Sequence, residues 1–157
     1  MKILLLTVGK TTDKHLIALI DDYVSRTSHY VPFSVETLPE LKNTKALSTA
    51  QQKAMEAEMI KGALQAGDYI VLLDEHGRER RSVEFAQWIQ KRMVAGGRRI
   101  VFIIGGPYGF DASIHELASE EISLSQMTFS HQMVRLFFAE QIYRAMTILN
   151  NEPYHHE

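Results

Sequence analysis

No cysteine occurs in the 157 residues, which excludes disulfides and thiolate metal sites. No H-x-x-x-H spacing compensates, so no metal is expected. Long apolar runs are missing as well. The opening stretch 1–10, MKILLLTVGK, is far too short to span a membrane and carries no small-residue cleavage pattern, so it reads as a first core strand of a soluble, cytoplasmic protein with no membrane association. Neither the dinucleotide fingerprint G-x-G-x-x-G nor a P-loop is present. Repeats, linkers and low-complexity tracts are absent. An overall basic excess is also lacking: 17 Lys and Arg against 19 Asp and Glu give a formal charge of -2, which argues against a general nucleic-acid binder.

What is present suits one compact domain spanning 1–157, since 45% of the residues are hydrophobic and 23% charged, enough to bury a sizeable core. The charge is uneven. Between Arg78 and Arg99 seven basic residues (Arg78, Arg80, Arg81, Lys91, Arg92, Arg98, Arg99) face two acids, whereas 100–126 holds four acids and no Lys or Arg. That cluster offers either a local surface for phosphate or an ordinary solvated helix.

Strand and helix patterns alternate along the chain. Lys2–Val8 predicts a strand, followed by a helix capped at Thr12 or Asp13 and running to about Ser28. A short strand follows Pro32 to Leu38, then a helix over 48–66, stopped by Gly67. Tyr69–Leu73 predicts a buried strand that ends at Asp74-Glu75-His76-Gly77. Ser82 precedes a helix stopped by Gly96-Gly97, Arg99–Ile104 is a further apolar strand, and a short helix over 112–118 leads to a strand near 121–124. A long helix spans about 131–149. This order predicts an α/β fold, a mostly parallel sheet with helices on both faces.

Ligands of open parallel sheets sit beyond the carboxyl ends of the strands. Three segments leave strands at that edge: 73–77, 105–109 and 124–129. Glycines let backbone approach a ligand closely, so adjacent N–H and C=O groups can read a purine; a tight turn explains Gly105-Gly106-Pro107-Tyr108-Gly109 equally well. The third segment interleaves Ser, Gln and Thr with Leu, Met and Phe, which a cap at Ser130 alone does not require. The last helix is apolar around nearly its whole circumference, more than one core face needs, and a homodimer is expected. On it, Glu140 and Arg144 either pair at i,i+4 or leave Arg144 to face an anionic or carbonyl-bearing ligand. The tail places Tyr154, His155 and His156 in a row, either a frayed end or imidazoles positioned for proton exchange.

Four stretches together, LLDEHG (72–77), FIIGGPYG (102–109), ISLSQMTFSHQMVRLFFAEQIYRA (122–145) and NNEPYHHE (150–157), resemble the SPOUT-class methyltransferases that modify N3 of a pseudouridine in 23S ribosomal RNA. The likeness covers essentially the whole chain. It implies a deep C-terminal trefoil knot, which pattern reading does not propose, and S-adenosyl-L-methionine as methyl donor. Carried over, Leu73, Gly105, Leu124, Ser125, Gln126, Met127, Thr128 and Phe129 line the cofactor site, largely through backbone. His155 is the tail group near the acceptor, Arg144 orients the base or the cofactor, and Tyr154 stacks on the base. The implied partners are a second copy of the chain and 23S rRNA in the assembled ribosome. One alternative keeps the fold and changes the substrate to tRNA; another, of a different class, is a non-catalytic nucleotide- or RNA-binding module on a flavodoxin-like sheet.

Overall fold

The computed structural model describes residues 1–157. Five strands form one sheet: β1 (Lys2–Val8), β2 (Phe33–Leu38), β3 (Tyr69–Glu79), β4 (Arg99–Ile104) and β5 (Glu120–Ser123). Every pairing is parallel and the order is β2-β1-β4-β3-β5. The helices are α1 (Lys14–Thr27), α2 (Thr49–Ala63), α3 (Ser82–Ala95), α4 (Ala112–Leu117) and α5 (His131–Leu149), with a 3₁₀ turn at Thr44–Ala46. The alternation expected from sequence is the alternation found.

Side chains on a strand point alternately to the two faces, and the central strands are apolar on both. Ile3, Leu5, Val71, Ile100 and Phe102 pack with Phe85 and Ile89 of α3 and with Phe138 and Ile142 of α5. Leu4, Leu6, Leu72, Val101 and Ile103 pack on the other face with Ala57 and Ile60 of α2 and Ile114 of α4. A sheet covered on both faces needs strands of continuous apolar character, which β1 and β4 supply. Local chemistry sets the helix starts. Asp13 accepts from the N–H groups of His15 and Leu16, Ser48 forms a capping box with Gln51, and Ser130 accepts from Met133 N–H.

Three expectations need correction. First, β3 does not end at Leu73. It continues to Glu79, and its register on β5 slips so that Leu73 and Arg78 both pair with Ile122. Asp74–Gly77 is therefore an excursion within a strand. A Cβ on Gly77 would lie 2.7 Å from the Ile122 backbone nitrogen, so the fold needs glycine there for close approach. Second, α2 stops at Ala63 rather than 66, because Arg99 takes the Ala63 carbonyl at 3.1 Å and Asp68 takes the Gln65 N–H at 2.7 Å. Third, Ser82 is the first residue of α3; Arg81 is the cap, its N–H held by Glu84 at 3.0 Å.

Candidate active site

Leu73, Gly105, Leu124, Ser125, Met127, Thr128 and Phe129, from the three strand-end segments, line one cavity of about 480 Å³. That volume lies within the range of small-molecule sites. Side chains hold the segments together. Thr128 donates to Glu75 at 3.0 Å, tying the 124–129 segment to the β3 excursion. Ser123 donates to the Ser125 carbonyl at 2.8 Å, and Ser125 accepts from Met127 N–H at 3.0 Å. Gln126 points away, its amide 3.5 Å from Glu79, and does not line the cavity.

The glycine loop has no spare room. A Cβ on Gly105 would sit 3.0 Å from the Phe110 ring, and one on Gly106 would sit 2.4 Å from Glu56. Gly106 N–H instead donates to Glu56 at 2.8 Å. Burial pushes the Glu56 carboxyl above its ordinary range, against the opposing pull of that hydrogen bond and of His131.

Lys53, Asp74, Glu75, His76, His115 and His131 also line the cavity. Sequence reasoning did not single them out as ligand contacts; Lys53 arrives from α2, distant in sequence. The available signals were the position of Asp74–His76 after the apolar run of β3 and that of His131 directly after the 124–129 segment. Two carboxylates beside a single lysine make this a poor cradle for a phosphate chain and a suitable one for a cationic ligand. No group of three or more His, Asp or Glu side chains is placed to hold a metal ion, and no helix is long and apolar enough to cross a membrane.

The tail is ordered against α5 and α1. Tyr154 donates to Glu140 at 2.8 Å, lies 3.2 Å from the Tyr23 hydroxyl and meets the Tyr143 ring edge-on at 4.8 Å. Burial, with these hydrogen bonds and the Glu140 charge, raises the Tyr154 phenol well above its ordinary value. Arg144 pairs with Glu140 at 2.5 Å and reaches His155 Nδ1 at 3.1 Å. Of the two readings of Arg144, the i,i+4 pair is the one present, and its second donor goes to His155. Guanidinium can only donate, so His155 Nδ1 accepts and a neutral ring carries its proton on Nε2. That Nε2 is buried without a hydrogen-bond partner, with Glu157 Oε1 3.7 Å away. None of these tail residues lines the cavity of its own chain.

The basic cluster is largely spent on internal pairs. Arg80 binds Glu120, Arg81 binds Glu157 at 3.2 Å, Arg99 binds Asp68 at 2.7 Å, and Arg92 covers the Tyr69 ring at 4.8 Å. The partners lie far away in sequence, which is why the run looked free.

A family model described as predicted SPOUT methyltransferase matches residues 1–155. Proteins named ribosomal RNA large subunit methyltransferase H from Phocaeicola vulgatus, Bacteroides fragilis and Bacteroides thetaiotaomicron are 63%, 60% and 59% identical, each alignment covering 100% of both chains. A probable methylase family protein from Haemophilus influenzae Rd KW20 superposes with a TM-score of 0.49 at 12% identity, covering 99% of this chain and 70% of that one, a likeness too distant to bear on the site. A doubly covered parallel sheet, a cavity built from the β3 excursion and two segments that leave strand ends, and a match over nearly the full length agree that this chain belongs to the SPOUT methyltransferase family.

Proposed function

We propose that this enzyme methylates N3 of a pseudouridine in 23S ribosomal RNA, using S-adenosyl-L-methionine and acting on the assembled ribosome in the cytoplasm as a homodimer of one-domain chains. The observation that carries the reading is the convergence of 73–76, 104–110 and 124–129 on one cavity, at the strand ends where the resemblance puts its cofactor. The chain path beyond β5 is read, with the family, as a deep trefoil knot.

The donor set suits this cofactor. Backbone N–H and C=O groups around Gly105 and Leu124–Phe129 can read an adenine edge, and Asp74 and Glu75 complement a cationic sulfonium. When bound, the sulfonium supplies an electrophilic methyl group. The protein's own work is to fix the acceptor base and manage the proton leaving N3. His155 is held through Nδ1 by Arg144; once the tail moves against the acceptor, its buried Nε2–H becomes a donor toward a base carbonyl, and Nδ1 becomes a proton acceptor when the Arg144 contact opens. Positioning of this kind accounts for several kcal/mol of barrier lowering. Because the tail does not reach the cavity of its own chain, a second copy supplying it across the dimer is the economical arrangement.

The test is transfer of labelled methyl from S-adenosyl-L-methionine to intact ribosomes by the purified protein. Nucleoside mass spectrometry should find methylpseudouridine in 23S RNA. Label entering tRNA instead, or no preference for this cofactor over other adenine compounds, would overturn the reading.

A further inference from the structure

A second, smaller cavity of about 250 Å³ opens between the start of α3, the end of β5 and the middle of α5. It shares Leu124 and Phe129 with the cavity described above, so the two adjoin at these residues. Its volume falls below the roughly 300–1,000 Å³ of sites for drug-sized ligands and suits a single ring. Three aromatic rings, Phe85, Phe129 and Phe137, form walls, and Phe129 and Phe137 already lie 4.9 Å apart. Flat apolar walls of this kind favour a planar heterocycle.

The polar groups are few and specific. Arg80 lines the cavity with its side chain only 8% exposed. Its Nη2 binds Glu120 and its guanidinium covers the Trp88 ring at 5.3 Å, while Nη1 is buried with no hydrogen-bond partner. An unsatisfied buried donor is costly, and a ligand that accepts from it removes the cost. Since Glu120 already balances the guanidinium charge, the unmet demand is for a neutral carbonyl rather than a phosphate. Ser82 donates to Gln141 Oε1 at 3.4 Å, and the Gln141 amide donates to Glu140 at 3.0 Å. The Ser82 and Gln141 oxygens keep lone pairs free to accept. Glu140 in turn holds Arg144 and Tyr154, so this cavity stands between the larger one and the tail cluster.

We propose that this cavity receives the acceptor nucleobase, with Arg80 donating to a ring carbonyl and Gln141 and Ser82 accepting from a ring N–H. The inference rests on the functional reading above and deepens it. Pseudouridine carries an N1–H that uridine lacks, so the Gln141–Ser82 pair is where the two isomers are told apart.

The test places p-benzoylphenylalanine at Phe137, irradiates the protein bound to ribosomes, and maps the adducts. A cross-link at the methylated nucleotide is expected. Cross-links to the partner subunit, meaning that a second copy fills the cavity, or no RNA adduct from a variant that still methylates, would overturn the proposal. Gln141→Leu should keep the wild-type affinity for S-adenosyl-L-methionine by calorimetry, yet lose at least about tenfold of the preference for pseudouridine-bearing over uridine-bearing ribosomes; an unchanged ratio counts against the site. If the unaltered protein transfers no methyl to ribosomes, the functional reading fails first, and the two failures are separable.

Discussion

Gly106 and His155 each make one sharp demand. At Gly106 an added methyl would press on a carboxylate that also accepts the residue's N–H, at 2.4 Å and 2.8 Å respectively. Glu56 cannot retreat without giving up that bond. Gly106→Ala should therefore shift the loop, cost about 1–3 kcal/mol of stability, the usual cost of overpacking, and weaken S-adenosyl-L-methionine binding, read by calorimetry well below the lowered melting temperature. Wild-type affinity would remove this loop from the site. On the function proposed above, His155 acts on the other half of the reaction. His155→Ala should leave cofactor affinity intact and slow methyl transfer to ribosomes by about 10²-fold or more, the scale of general acid–base contributions; full turnover would assign the tail's role to another group.

At the scale of elements, the end of α2 and the starts of β3 and β4 are joined by one ion pair. Asp68, its side chain 1% exposed, meets Arg99 Nε and Nη2, both at 2.7 Å, and Arg99 also binds the Ala63 carbonyl. Burial by itself would raise the Asp68 carboxyl; the Arg99 hydrogen bonds, the Gln65 N–H and the Arg99 charge outweigh it and leave it below its ordinary value. A lowered folded-state pKa means that the stabilisation is complete above the unfolded value of about 3.9 and is lost as pH falls through the folded one. Arg99→Leu strands a buried carboxylate and should cost about 3–5 kcal/mol in urea unfolding at neutral pH, while Asp68→Asn should flatten the loss of stability below about pH 4. The apolar halves of this framework were legible in the sequence, because β1 and β4 are continuous apolar runs and α5 announces itself with Ser130. The ion pairs were not, since Asp68–Arg99 and Arg80–Glu120 join residues 31 and 40 positions apart. Asp74–Gly77 looked like a strand end for the same reason. Only the backbone of Glu121 and Ile122, lying against Gly77, reveals that the strand goes on. In the site, the motif residues were readable, but the arrival of Lys53 and Glu56 depends on the packing of α2, distant in sequence, against the glycine loop.

For the whole molecule the open question is what covers the outer face of α5. Its inner face is spent on Phe138, Ala139, Ile142 and Met146 in the core, yet Met133 remains 36% exposed, and Leu19 on the neighbouring α1 is 46% exposed. Apolar surface left on a helix central to the fold is what a second copy would bury. Sedimentation equilibrium should return twice the 17.9 kDa chain mass. Met133 lines neither the larger cavity nor the smaller one, so Met133→Glu probes association without touching either. A buried, unpaired charge at that point should weaken the dimer by about 2–4 kcal/mol, enough to give monomers at micromolar concentration. If the partner supplies the tail, those monomers bind S-adenosyl-L-methionine normally and transfer no methyl, and activity returns when the concentration is raised high enough to restore the dimer. Monomers that methylate ribosomes at the wild-type rate would mean that each chain works alone, with Tyr154 and His155 serving the site of the chain that carries them.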